Sequence, residues 1–132
     1  MPAVRPVILM VEDHPGFRRI YRELLENAGY ELVEAEDGAS GYELARMLRP
    51  DLILLDLVMP VCDGFELLHR LRGDEVTAGI PVIVFSVMGE PDDIQRAYRL
   101  GADDYTVKCL DSSDDVLAKI ARLSSPGVPD RV

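Results

Sequence analysis

Residues 52–64 read LILLDLVMPVCDG, and the rest of the chain is interpreted around this stretch. Four aliphatic residues lead into Asp56, and a short apolar run of this kind predicts a β-strand that is buried on both faces. Pro60 ends the strand because proline has no N–H to donate to a neighbouring strand. Asp63 and Gly64 are typical of a turn and of the start of a helix. Asp56 should therefore lie at the carboxyl end of a central strand, where open α/β sheets bind their ligands.

Four other segments also have the pattern of β-strands, and each strand is followed by a helical pattern. These segments are 7–11, 30–35, 81–85 and 104–107. The segment 30–35 mixes polar and apolar residues more than the others, which favours an edge strand. Strands that alternate with helices five times predict a doubly wound α/β fold, with a parallel five-stranded sheet and helices on both faces.

The spacing of apolar residues predicts which helix faces are buried. The first helix opens at His14-Pro15, and its apolar stripe consists of Phe17, Ile20, Tyr21, Leu24, Leu25 and Ala28. The fourth helix begins near Pro91, and its predicted buried face consists of Ile94, Ala97 and Tyr98. Ser112 with Asp115 resembles a capping box at the start of the fifth helix.

The chain has 132 residues, enough for one domain with one core. We predict a domain over 1–123 and a flexible tail or truncated linker over 124–132. The sequence has no apolar run of membrane-spanning length and no signal-peptide pattern, which predicts a cytoplasmic protein. Its net charge of -10 argues against direct binding of nucleic acid by this domain. This acidity is typical of a soluble surface, and it also suggests that some carboxylates bind a metal ion.

Polar side chains follow the strands, namely Glu12, Asp13, Asp56, Ser86 and Lys108. Because the carboxyl ends of parallel strands share one edge of the sheet, these residues should converge. Three carboxylates repel one another, so a hard cation such as Mg²⁺ is the expected partner. Lys108 could hold a phosphate oxygen or pair with Asp56, and Ser86 could donate to a phosphate. The set fits a carboxylate nucleophile that attacks phosphorus, although Glu12-Asp13 could also be a simple strand stop and helix cap.

In their order and spacing, these residues resemble the receiver domain of bacterial response regulators. The matching motifs, spread over residues 6–123, are Glu12-Asp13, Asp56 with Met59-Pro60 and Asp63-Gly64, Ser86, the run GADDY at 101–105, and Lys108. None is specific alone, but the five together are. The resemblance implies a flavodoxin-like (βα)5 fold with strand order 2-1-3-4-5.

The resemblance also implies a function. Asp56 would accept a phosphoryl group from a histidine of a partner kinase or phosphotransfer protein, and Lys108 and Ser86 would contact that group. The Mg²⁺ ligands would be Glu12, Asp13, Asp56 and the backbone carbonyl of Val58. The domain would not be an enzyme for other substrates, since its chemistry is confined to self-phosphorylation and autodephosphorylation.

The resemblance further implies a switch at Tyr105, whose ring would turn inward as the Ser86 hydroxyl moves to the phosphoryl group. The surface formed by the fourth helix, the last strand and the fifth helix would then change shape. A downstream protein or the chain's own output domain would recognise that surface. A homodimer through the fourth and fifth helices is an alternative use of it.

Three residues depart from the family pattern. Cys109 replaces the proline that usually follows the lysine, often with a cis bond, and a non-proline cis bond costs about 3 kcal/mol. This loop is therefore expected to be trans or strained. Ser86 is an accepted variant of threonine. Val87 replaces a smaller residue and should restrict access to the phosphoryl group, which predicts slow dephosphorylation or selective phosphorylation.

Two competing functions and one redox hypothesis stay open. A receiver-like domain that signals without phosphate would tolerate Cys109 and Val87. A Mg²⁺-dependent aspartyl phosphatase is disfavoured, because such enzymes carry an acid two residues after the nucleophile, where this chain has Val58. Cys62 and Cys109 lack the spacing of a zinc site, and a redox link between them is disfavoured in a reducing cytosol.

Overall fold

A computed structural model of the chain describes residues 5–59 and 63–124, in which five strands alternate with five helices. The strands are β1 (Val7–Val11), β2 (Glu31–Ala35), β3 (Leu52–Leu55), β4 (Val82–Ser86) and β5 (Asp104–Val107). The helices are α1 (Pro15–Asn27), α2 (Gly38–Leu48), α3 (Gly64–Gly73), α4 (Pro91–Arg99) and α5 (Ser113–Ser124). No helix within the described ranges is long and apolar enough to cross a membrane. Pro60, Cys62 and residues 125–132 lie outside these ranges.

The five strands form one parallel sheet in the order β2-β1-β3-β4-β5, which confirms the predicted fold. The central strand β3 is aliphatic throughout because both of its faces are covered. Ile53 and Leu55 pack into the core beneath α2, α3 and α4. Leu52 and Leu54 pack into the opposite core, beneath α1 and α5. The strand β2 lies at one edge, as its mixed pattern predicts.

The predicted helix faces are only partly right. Tyr21 and Leu25 of α1 are buried, but Ile20 is 59% exposed. Ile20 lies about 120° around the helix from the midpoint between Tyr21 and Leu25, beyond the width of the contact with the sheet. Tyr98 of α4 is likewise exposed, whereas the neighbouring Ala97 is buried. Ala28, also assigned to the α1 stripe, is exposed because it caps the end of that helix.

One guanidinium joins the loops at the amino ends of β4 and β5, and we call this arrangement the Arg72 clamp. Arg72 donates to the carbonyl of Ile80 at 2.7 Å and to the carbonyl of Gly101 at 2.8 and 3.0 Å. It also pairs with the Asp103 carboxylate at 2.9 Å, which accepts the Val82 N–H at 2.8 Å. Gly101 adopts a φ of 109°, and a side chain there would collide with Arg72. The clamp therefore fixes the end of the sheet opposite to the predicted site.

Candidate functional site

The carboxyl ends of the strands bring the predicted site residues together. Glu12 follows β1, Asp56 follows β3, Ser86 ends β4 and Lys108 follows β5, and all four side chains are buried. Asp13 is partly exposed beside them. An open cavity of about 360 Å³ lies here, lined by Glu12, Asp13, His14, Phe17, Asp56, Val58, Met59, Val87 and Lys108. A larger depression at the end of α2 contains none of the predicted site residues.

The hydrogen bonding of the sheet continues one residue beyond the strands and positions the site. The N–H of Glu12 donates to the Ala35 carbonyl at 3.0 Å, and the N–H of Asp56 donates to the Val11 carbonyl at 3.0 Å. The backbone N–H of Lys108 donates to the Ser86 carbonyl at 2.8 Å. The site residues are thus held by the sheet itself, which is more rigid than a free loop.

Three carboxylates form a cluster that fits a divalent cation. Glu12, Asp13 and Asp56 each offer a carboxylate oxygen, and these atoms lie within 4.8 Å of one another. Burial is the main cause that raises the pKa of Asp56 from 3.8 to about 7; Lys108 opposes the rise, and Glu12 adds to it. A bound cation would favour the charged carboxylates, and oxygen donors are the ligands that Mg²⁺ prefers.

Lys108 is enclosed by the carboxylates and by two aromatic rings. Its ammonium forms a close ion pair with Glu12 and lies 3.5 Å from Asp56 Oδ2. The same ammonium lies 4.1 Å from the centroid of the Phe17 ring and 4.6 Å from that of Phe85. Only 2% of the Lys108 side chain is exposed. The positive charge is therefore compensated from several sides, as a buried cation requires.

The loop after β3 is shaped by Asp56 and Gly64. The Asp56 carboxylate accepts the N–H of Val58 at 3.1 Å, and Gly64 donates to the Leu57 carbonyl at 3.2 Å. A Cβ added at Gly64 would lie 2.4 Å from the Asp56 carbonyl oxygen. The interpretation of Gly64 as a turn residue missed this contact, although the Asp-Gly pair at the helix start was a signal for it.

Ser86 and Tyr105 both bind the backbone of Met88 in the loop after β4. The Ser86 hydroxyl oxygen accepts the Met88 N–H at 3.2 Å, and the Tyr105 hydroxyl donates to the Met88 carbonyl at 2.5 Å. The Tyr105 ring is 5% exposed, so it is already turned inward here. Burial raises the pKa of Tyr105 above its ordinary value of 10.0, so the hydroxyl, which is already protonated at neutral pH, stays a donor at higher pH as well. The switching role of these two residues stays a prediction.

Cys109 stands where the family pattern has a proline, and Lys108 before it still lies in the site. Among the described residues no peptide bond is cis, and Cys109 is exposed with a φ of 70°, in the left-handed region. A non-glycine residue pays about 1 kcal/mol or more for that conformation, so the loop is both trans and strained. The Asp111 carboxylate supports the turn by accepting the Val107 N–H at 3.1 Å. The redox hypothesis stays untested, since Cys62 is outside the described ranges.

Two residues near the site have contacts that the sequence pattern did not reveal. His14 is exposed, but its Nδ1 accepts the N–H groups of Gly16 and Phe17 at 3.1 and 3.2 Å. It is therefore the N-cap of α1. Phe17 was assigned to the apolar stripe, yet its ring also faces Lys108. The pair His14-Pro15 marked the helix start, but no pattern in the sequence indicated the aromatic contact.

The fold and site define a class of protein, namely doubly wound α/β domains with acidic residues and a lysine at the carboxyl edge of the sheet. The family model described as the response regulator receiver domain matches residues 8–121, and the chain belongs to this family. It is a receiver domain of two-component response regulators and acts in signalling.

The chain is also similar to individual curated proteins. The DNA-binding dual master transcriptional regulator RpaA of Synechocystis sp. strain PCC 6803 is 42% identical over 118 residues, which cover 89% of this chain and 48% of that protein. The chain spans about half the length of the curated relatives that it matches first.

Two solved structures extend the comparison. The phosphorylated cyanobacterial phytochrome response regulator RcpA is 34% identical, with a TM-score of 0.81 over 92% of this chain and 96% of that one. The receiver domain of the sensor histidine kinase PA1611 from Pseudomonas aeruginosa PAO1, with magnesium coordinated in its active-site cleft, is 26% identical. Its TM-score is 0.84 over 92% of this chain and 98% of that one.

Proposed function

We propose that Asp56 accepts a phosphoryl group from a histidine of a partner kinase or phosphotransfer protein, in a Mg²⁺-dependent reaction. The observation that carries this proposal is the convergence of Asp56, Glu12 and Lys108 beside one open cavity, with Asp13 at its mouth. Two similar solved structures support it, one of a phosphorylated response regulator and one with magnesium in its active-site cleft.

Each residue of the site would have a distinct role in the transfer of the phosphoryl group. A carboxylate oxygen of Asp56 forms the new P–O bond while the P–N bond of the phosphohistidine breaks. Lys108 exchanges its pairing with Glu12 for an oxygen of the phosphoryl group, and Ser86 donates its hydroxyl hydrogen to another oxygen. Bound Mg²⁺, held by Glu12, Asp13, Asp56 and the Val58 carbonyl, would supply positive charge to the transferring group.

The signal would be recognised on the surface of α4, β5 and α5. Tyr105 lies within this region, and Lys119 of α5 donates to the Tyr105 carbonyl at 2.7 Å. Asp104 of β5 pairs with Arg122 of α5 at 2.5 Å and accepts the Tyr98 hydroxyl of α4 at 3.3 Å. Through these contacts, a movement of β5 would be passed to α4 and α5. A downstream protein, an output domain or a second copy would bind there.

We further propose the extents of the two chain segments. The predicted extents were 1–123 for the receiver domain and 124–132 for the tail or linker. Ser124 is the last residue of α5, is buried and donates its hydroxyl to the Ile120 carbonyl at 2.6 Å, so we place it with the domain. The chemistry of the domain would be confined to gaining and losing its own phosphoryl group.

The decisive experiment is the intact mass after incubation with Mg²⁺ and acetyl phosphate. We expect one added phosphoryl group, absent in Asp56→Asn protein and in metal-free protein. Asp92→Asn, which changes an exposed acid of α4, serves as the matched control and should be phosphorylated normally. Equal uptake by the Asp56→Asn variant would contradict the proposal. A folded protein that binds Mg²⁺ without uptake would favour phosphate-independent signalling.

Val87 is expected to lengthen the lifetime of phospho-Asp56. Its side chain is 56% exposed and lines the cavity, where it would hinder a water molecule that approaches phosphorus. Val87→Ala should shorten the lifetime about threefold, a change of less than 1 kcal/mol in the barrier. Loss of the added mass after removal of the phosphodonor measures it. The control is Leu110→Ala, which shortens an exposed apolar residue that does not line this cavity. Equal phospho-Asp56 lifetimes for Val87→Ala and wild type would contradict the prediction.

A further inference from the structure

We propose that Phe17 is a positioning residue for Lys108, whose ring holds the lysine ammonium beside Asp56 while Lys108 exchanges one anionic partner for another. This inference deepens the proposed function and rests on it.

The contact is made by two rings from different elements. The Lys108 ammonium lies 4.1 Å from the centroid of Phe17 in α1 and 4.6 Å from the centroid of Phe85 in β4. A cation at this distance is attracted to the negative face of an aromatic ring, and the attraction grows when water is excluded. Because only 2% of the Lys108 side chain is exposed, water is largely excluded from the contact between the ammonium and the rings.

Each ring is held in place by its own neighbours. Phe85 is fully buried, and the ring of Tyr21 meets it edge-on, with 4.9 Å between centroids and an interplanar angle of 86°. Phe17 lies in the first turn of α1, where its N–H donates to His14 Nδ1 at 3.2 Å. The His14 and Phe17 rings are 5.0 Å apart. The two phenyl rings are therefore prepositioned, and Lys108 does not have to order them.

The aromatic contacts are independent of the acidic residues that Lys108 also contacts. In this structure the ammonium forms its closest pair with Glu12 and lies farther from Asp56. In the proposed reaction Lys108 must leave Glu12 and bind an oxygen of the phosphoryl group on Asp56. A long lysine side chain would gain freedom at that moment. The rings restrict this freedom because they attract the ammonium whichever anion it contacts.

Phe17 also packs against the core beneath α1 and α5, so the test must separate positioning from packing. Phe17→Leu removes the aromatic face and keeps an apolar side chain, whereas Phe17→Tyr keeps the face. Leu24→Ala weakens the same core from the same helix without touching Lys108 and is the packing control. The readouts are the rate of Asp56 phosphorylation by acetyl phosphate and two NMR properties of the Lys108 ε-methylene group. Its resonance position reports that the ring is near, since ring currents displace it, and its relaxation reports how far the side chain is immobilised.

We expect Phe17→Leu to lower the phosphorylation rate about fivefold and to move the Lys108 resonances toward ordinary lysine positions. Phe17→Tyr should restore both, and Leu24→Ala should change neither. In a Lys108→Gln background, Phe17→Leu should have no further effect on the rate, since the ring would have no cation to hold.

Two outcomes would overturn the inference. One is a Phe17→Leu protein with wild-type rate and unmoved Lys108 resonances. The other is a rate effect that persists in the Lys108→Gln background. If wild-type protein takes up no phosphoryl group, the proposed function fails separately. The mobility of the Lys108 ε-methylene group, measured by NMR relaxation, then decides alone: greater mobility in Phe17→Leu than in wild type and Leu24→Ala supports the hold on the ammonium, and unchanged mobility overturns the inference.

Discussion

Replacing Gly64 with alanine is expected to destabilise the protein by about 3 kcal/mol and to prevent phosphorylation. The new Cβ would lie 2.4 Å from the Asp56 carbonyl oxygen and 2.6 Å from Leu57 Cα, and real Cβ atoms essentially never show such distances. Both neighbours are backbone atoms, so no side chain can turn away to make room. The helix start and the strand end must separate, which displaces Asp56 from Glu12 and Lys108.

Denaturant unfolding measures the loss of stability, and intact mass measures the loss of phosphorylation. Gly73→Ala is the matched control, since Gly73 ends the same helix and a Cβ there would meet nothing within 4 Å. Its stability should be unchanged or slightly raised, because alanine favours helix over glycine. If Gly64→Ala unfolded at the same denaturant concentration as wild type, the loop would have relaxed with no loss of stability, which would contradict the prediction.

In metal-free protein, Asp56→Asn is expected to raise the free energy of unfolding by about 2 kcal/mol at pH 8. Burial raises the pKa of Asp56 from 3.8 to about 7, so between these values the folded protein binds more protons at this residue than the unfolded chain does. Its contribution to stability therefore falls as the pH rises through this window. Asparagine cannot ionise, so the variant avoids that loss.

The stability advantage of Asp56→Asn over wild type should shrink as the pH is lowered. It should vanish near pH 4, where Asp56 is protonated in the folded wild type. Denaturant unfolding at several pH values, with a chelator present, measures it. Asp92→Asn on the exposed side of α4 removes a carboxylate elsewhere and should show no such gain at pH 8. A difference between Asp56→Asn and wild type that is independent of pH would refute the explanation. Added Mg²⁺ should narrow the difference, because it stabilises the wild type more.

The strands and their common edge were predictable because each leaves a local signal. The aliphatic run of β3 ends directly in Asp56, and the equivalent run of β1 ends in Glu12-Asp13. Parallel pairing then requires that these ends lie together, whatever the details of packing. The capping box at the start of α5 was equally local, and Asp115 does donate its N–H to the Ser112 hydroxyl oxygen at 3.1 Å.

Features that depend on two distant segments were not predictable in this way. The spacing of apolar residues in α1 identifies an apolar face of the helix. Whether Ile20 at the margin of that face is buried depends on how wide the contact between the helix and the sheet is. The contact of Phe17 with Lys108 depends on where the first turn of α1 lies relative to the loop after β5, which no pattern in either segment encodes. The left-handed φ of Cys109 likewise occurs where the chain passes from the buried Lys108 to the exposed Leu110, and both positions are set by the folded structure.

The Arg72 clamp gives the molecule a mechanical asymmetry. At the amino ends of β4 and β5, one planar group with fixed donor directions bonds the α3–β4 connection and the α4–β5 corner simultaneously. At the opposite ends, β4 finishes in Ser86 and β5 is followed by Lys108, beside the carboxylates that follow β1 and β3. We therefore expect a displacement near the site to be resisted at the far ends of β4 and β5, so that these strands would tilt about fixed amino ends and would not slide along one another.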